Sequence, residues 1–243
     1  MKGKLIKSSL IVLLAGFLLV GYYYSYMIRL VFIDSFGFIE IADEIYTQKK
    51  FSEKDQKKAI NLISEARQRV TDYYGEPLAN PKILFVSDDE EATKLNLPKG
   101  IPGVAYLTPW ESYIILDANK IGIDVVAHEL VHAEILARLG YLKRTMEIPT
   151  WFDEGAALQV DFRHHYIDLP TITSAEFFRV TALDKPSKFW SDDAQQNIRN
   201  YQGAKAAYAK LLGQNSSVGL YYILDKVKQG EDLLSLIDRL RQE

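Results

Sequence analysis

Two histidines four residues apart, His128 and His132, bracket Glu129 in the run Asp124-Val-Val-Ala-His-Glu-Leu-Val-His-Ala-Glu. On a helix, residues at that spacing share one face with their Cβ atoms about 5–6 Å apart, so both imidazoles can converge on one metal ion. Glu129 lies one step round the helix. It is poorly placed as a third ligand but well placed to reach a water on that ion and act as a general base. The chain holds 4 histidines, and half of them fall in this pattern.

A catalytic zinc needs a third protein ligand and one open position. Glu154, in Pro149-Thr-Trp-Phe-Asp-Glu-Gly-Ala-Ala, is the candidate. The chain between His132 and Glu154 is long enough for a loop and a second helix that folds back beside the first. Taken alone, Glu154 reads as a solvated helix residue; beside the histidine pair it reads as a ligand. The small residues Gly155, Ala156 and Ala157 would let the two helices approach, while Trp151 and Phe152 bury the outer faces. Asp124 and Glu134 flank the pair and are candidates for orienting the ligands. His164 and His165 read as surface loop residues.

The elements that must hold these groups follow from periodicity and turn chemistry. Residues 43–74 have helical periodicity, interrupted at Phe51-Ser52, where Ser52 can cap a second helix that ends at Gly75 and Pro77. Lys82 to Ser87 reads as a buried strand, Asp88 to Leu95 as a short polar helix, and Val104 to Thr108 and Ser112 to Asp117 as two further strands. Asp124 to Leu139 is a helix stopped by Gly140, and Pro149 to Val160 is another. Residues 161–193 read as irregular. From Ala194 onward the chain is helical, with breaks near Gly213-Gln214-Asn215 and at Gly230. The fold class is α+β, a small sheet followed by active-site helices and a helical C-terminal part.

Composition narrows the function classes. Apolar residues make up 48% and charged residues 25%, a globular balance. A net charge of −3 without basic clusters gives no reason to expect a nucleic-acid partner. The absence of cysteine excludes disulfides, thiolate metal sites and cysteine nucleophiles.

The N-terminus reads as a membrane anchor. Lys2, Lys4 and Lys7 precede the uncharged residues 8–28, a stretch of about 31 Å as a helix, with Tyr22, Tyr23, Tyr24 and Tyr26 at its outer end. Lysines on the N-terminal side put residues 1–7 in the cytoplasm and the body outside it, which in a bacterium is the periplasmic or extracellular side. The competing reading is a cleaved signal peptide. It is weakened because no two of Ala15, Gly16, Gly21 and Ser25 stand at the spacing a cleavage site needs. On this reading residues 29–80 form an extracytoplasmic helical segment and residues 81–243 the catalytic domain, with a soluble body expected to fold from about Phe36 onward.

The HExxH run followed by a helix reading W-F-x-E-G-x-A resembles the gluzincin zinc peptidases, in particular the peptidase MA-like group and the catalytic domain of the aminopeptidase N family. The resemblance runs from about Pro102 to Val160, with a weaker echo at Tyr201 to Gly230, and does not reach the first 80 residues. It implies a thermolysin-like zincin domain with one Zn2+ held by His128, His132 and Glu154, Glu129 as base, and a peptide or protein substrate. It further implies an edge strand that pairs with extended substrate; Pro102–Tyr106 and Ser112–Asp117 are the candidates, and either could instead be an ordinary strand. Pro102-Gly-Val-Ala-Tyr stands where the aminopeptidases carry their Gly-x-Met-Glu-Asn segment, without that segment's amine-gripping glutamate. Tyr201, leading a helix after the zinc site as in these peptidases, is the candidate oxyanion donor, with Tyr208 a lesser one. Two alternatives stand beside a peptidase: a membrane-tethered zinc-binding module without catalysis, and a non-peptidase zinc hydrolase.

Overall fold

The structure, a computed structural model, describes residues 21, 24–166, 172–212 and 219–240. Helix α1 (Ser25–Val31) and a 3-10 turn (Ile33–Phe36) lead into strands β1 (Phe38–Ala42) and β2 (Ile45–Gln48). Helix α2 (Glu53–Tyr74) follows, then β3 (Lys82–Val86), helix α3 (Asp89–Lys94), β4 (Gly103–Leu107) and β5 (Ser112–Asp117). The rest is helical: α4 (Ile123–Leu139), α5 (Tyr141–Glu147), α6 (Thr150–Ala157), α7 (Ser174–Thr181), α8 (Pro186–Phe189), α9 (Ala194–Leu212), α10 (Leu220–Lys228) and α11 (Leu233–Leu240). The mixed α+β character expected of the chain is therefore present.

Among the described residues the sheet has five strands in the order β1-β2-β3-β5-β4. The central pairs β2–β3 and β3–β5 are parallel, and the outer pairs β1–β2 and β4–β5 antiparallel. Parallel strands need cover on both faces. Ile83, Phe85, Ile114 and Leu116 pack against the main helical layer, and Leu84, Val86, Tyr113 and Ile115 against Leu30 and Ile33 of the N-terminal segment.

Local chemistry sets the helix limits. The Ser52 hydroxyl accepts from the Asp55 amide and caps α2, whose Ala59, Ile63, Ala66 and Val70 form its buried stripe. Helix α4 is buried from Val125 to Leu136, as a central helix must be when it is apolar nearly all round. It stops at Gly140, where φ is 76° and the amide donates to the Leu136 carbonyl at 2.7 Å.

Two expectations change. The segment 29–80, expected to be helical, carries a hairpin, β1–β2, turning at Glu44 with φ 56°. Moreover, β2 pairs with β3 across the expected boundary at residue 80. Burial decides the hairpin: every residue of Ile45–Gln48 is buried, and β-branched and aromatic side chains there suit a sheet. Residues 161–193, expected to be irregular, include α7 and α8. The expected anchor, residues 8–28, lies largely outside the described residues, and among those described no helix is long and apolar enough to cross a membrane.

Candidate metal centre

Helix α4 supplies His128, Glu129 and His132, and α6 supplies Glu154. The first turn of α6 is held from outside. The Thr150 and Trp151 amides donate to the Asp184 and Leu183 carbonyls at 3.0 and 3.2 Å, which satisfies helix N-terminal donors that have no partner within the helix. Gly155 sets the helix position. A Cβ there would lie 2.6 Å from the Ala204 carbonyl oxygen and 2.9 Å from Tyr208 Cβ. The small residue thus serves close approach to α9, not to α4 as expected. Trp151 and Phe152 are fully buried.

Three ligand atoms converge. His128 Nε2 and His132 Nε2 are 3.2 Å apart, and Glu154 Oε2 lies 3.4 Å from the first and 3.8 Å from the second. Bonds of about 2.0–2.1 Å at tetrahedral angles would set ligand atoms about 3.3 Å apart, so the trio fits a tetrahedral cation such as zinc. Glu154 Oε2 is buried and has no hydrogen-bond partner among the described residues, as suits an oxygen meant for a metal. The chemistry of the surroundings agrees. Burial works against protonating either imidazole, yet Asp161 and Glu154 push His128 up to about 10, and Asp153 and Glu154 push His132 up too. A pocket that draws a proton so strongly is one that also favours a cation.

The outer nitrogens of both ligand rings face carboxylates. Asp153 Oδ1 is 2.8 Å from His132 Nδ1, and Asp161 Oδ2 is 3.4 Å from His128 Nδ1. Each carboxylate is in turn paired with an arginine, Asp153 with Arg144 and Asp161 with Arg163. Burial raises the Asp153 carboxyl, but Arg144 and His132 outweigh it and bring the carboxyl down to about 2. Asp124 and Glu134, the candidates for orienting the ligands, have their partners elsewhere. Asp124 pairs with Arg69. Glu134 accepts from the Leu78 and Ala79 amides and from Arg138. The signal for Asp153 was its place beside Glu154; Asp161 gave no such signal.

All three candidate ligands and Glu129 line a cleft of about 410 Å³. One wall is β4, through Gly103, Val104, Ala105 and Leu107; Trp190 and Tyr201 stand among the other residues that line it. Of the two candidate pairing strands, β4 is the sheet edge, whereas β5 is flanked by β3 and β4. Tyr208 is fully buried in the helical core and does not line the cleft. His164 and His165 are exposed, as expected. A second cavity of about 460 Å³, beside α2 and the ends of β3 and β5, contains none of the candidate residues.

Comparison with protein-family models, with curated proteins and with solved structures finds no match. The resemblance to gluzincins therefore rests on the sequence motif.

Proposed function

We propose that this chain is a zinc-dependent peptidase of gluzincin type, held at the membrane by its N-terminal segment with the catalytic body outside the cytoplasm. The observation that carries the reading is the trio His128, His132 and Glu154 at tetrahedral spacing, lining one cleft with Glu129. A zinc site kept for structure alone has no use for a carboxylate base beside it. The order of elements supports the thermolysin-like zincin arrangement: an antiparallel edge strand at the cleft, the histidine helix, and then the glutamate helix.

A cation held by these three side chains would supply Lewis acidity and an activated water. The chain's own residues do the rest. Glu129 takes a proton from the attacking water and delivers it to the leaving amine. The Tyr201 hydroxyl donates to the developing oxyanion. The free edge of β4 offers main-chain donors and acceptors to an extended peptide. No glutamate occupies the amine-gripping position of the aminopeptidases.

Two measurements test this reading. Metal analysis of the purified chain is expected to give one zinc per molecule, lost when His128 and His132 are both changed to alanine. Full occupancy in that double variant would remove the site. A comparison of protein termini across a proteome, with and without active enzyme, is expected to show new cleavages. Their absence beside an activity on other acyl substrates would favour a non-peptidase hydrolase.

A further inference from the structure

The two arginine–aspartate–histidine chains behind the metal site differ in construction. Arg163 reaches Asp161 from two positions away, forking onto both carboxylate oxygens, so that pair is set by its own loop. Arg144 comes from a different helix, α5, and meets an aspartate on α6. The oxygens of Asp153 are divided: Oδ1 faces His132 Nδ1 at 2.8 Å, and Oδ2 takes the Arg144 guanidinium. Helix α5 is fastened elsewhere, through Lys143 Nζ donating to the Val227 carbonyl of α10 at 3.0 Å.

We infer that Arg144 is a positioning residue for the metal centre, acting through Asp153 to fix the orientation of His132 and thereby the affinity for zinc. The inference rests on the proposed metal site. A ligand imidazole binds metal through Nε2 only when its Nδ1–H is directed elsewhere, and a carboxylate acceptor fixes both tautomer and ring plane. Asp153 is 7% exposed, so water does little to hold its carboxylate in place. Its second oxygen is steered by Arg144, whose planar guanidinium is rigid where a lysine ammonium is not. Arg144 also lines the cleft, so the wall of the binding site and the geometry of the metal are linked through one side chain.

The test is a double-mutant cycle read as zinc affinity, by competition with a chromophoric chelator. Arg144→Met in the full chain is expected to weaken zinc binding by about 10- to 100-fold, the usual cost of losing such a support. Asp153→Asn is expected to weaken it by at least as much. The combination should be no weaker than Asp153→Asn alone, because Arg144 has then lost the group it acts through. Arg144→Lys, which keeps the charge without the rigid planar guanidinium, should fall between the parent and Arg144→Met. If Arg144→Met does not fold, Arg144→Lys carries the same cycle. Unchanged affinity in the arginine variants, or losses that simply add, would overturn the inference. A parent chain that takes up no zinc would instead sink the metal site itself.

Discussion

The Trp190 indole N–H donates to the Tyr201 hydroxyl oxygen at 2.8 Å, at the edge of the cleft. With its oxygen accepting from tryptophan, the phenol has its own proton to give. Burial, reinforced by Glu154, holds that phenol well above its ordinary pKa, so it stays protonated wherever the enzyme would work. A fixed, neutral donor in the cleft lined by the candidate ligands is what an oxyanion would need. Tyr201→Phe is expected to lower kcat by about 10²-fold or more while leaving zinc content unchanged. Trp190→Phe, which only loosens the tyrosine, should lower it less. Steady-state kinetics on a cleaved peptide would check both, and an unaltered kcat in Tyr201→Phe would return this residue to a packing role.

Helix α6 should tolerate almost nothing larger than glycine at residue 155. An added Cβ would meet the Ala204 backbone oxygen at 2.6 Å, and backbone cannot swing aside as a side-chain tip can. Gly155→Ala gains up to about 1 kcal/mol of helix propensity but forces α6 away from α9, at a cost of about 1–3 kcal/mol. Net destabilisation is expected, together with weaker zinc binding, because Glu154 is the adjacent residue. Gly122→Ala is the control, since nothing lies within 4 Å of a Cβ there. Thermal unfolding of both variants, with zinc titrations, decides the matter; a Gly155→Ala protein as stable as Gly122→Ala would contradict the packing described.

What could be read from the chain beforehand follows how local each feature is. His128, His132 and Glu154 were legible because helix periodicity and terminal glycine or proline fix α4 and α6 within a few turns of sequence. The hairpin at residues 38–48 was not. Its turn residue Glu44 carries no hairpin signature, and what makes Ile45–Gln48 a strand is pairing with β3 some 40 residues on. Arg144 was invisible for a similar reason: on an isolated helix an arginine reads as a solvated charge, and only the fold brings it to Asp153. Tyr201 stood out among 15 tyrosines only through resemblance, whereas the structure places it in the cleft.

The packed body reaches back before Phe36. Leu30 and Ile33 are 0% and 3% exposed, packed with Leu84 and Ile115 on the second face of the sheet. A chain starting at Phe36 leaves part of that face uncovered, with only Leu95, Leu97 and their neighbours over it. One starting at Tyr24 is expected to unfold cooperatively in urea, whereas one starting at Phe36 should unfold at clearly lower urea or aggregate. In the longer form, Leu30→Ala should cost about 2–5 kcal/mol, the usual range for a fully buried leucine. Equal midpoints for the two chain lengths would show that α1 contributes nothing to the fold.

In the proposed mechanism, catalysis turns on Glu129. It follows His128 on α4, is 8% exposed, and lines the same cleft as the ligands. Glutamine has the same shape and nearly the same volume, so Glu129→Gln should fold as the parent does and retain its zinc. It cannot accept a proton, so the attacking water loses its base and the leaving amine its acid. Removing such a group costs about 10²–10⁴-fold, and more when one residue serves both steps. The decisive comparison is between parent and Glu129→Gln proteins of matched zinc content and matched circular dichroism, assayed on one validated substrate. A membrane-tethered zinc-binding module would behave alike in both forms. Equal cleavage rates in the two would mean that some other group moves the proton, and the mechanism proposed for this cleft would be wrong.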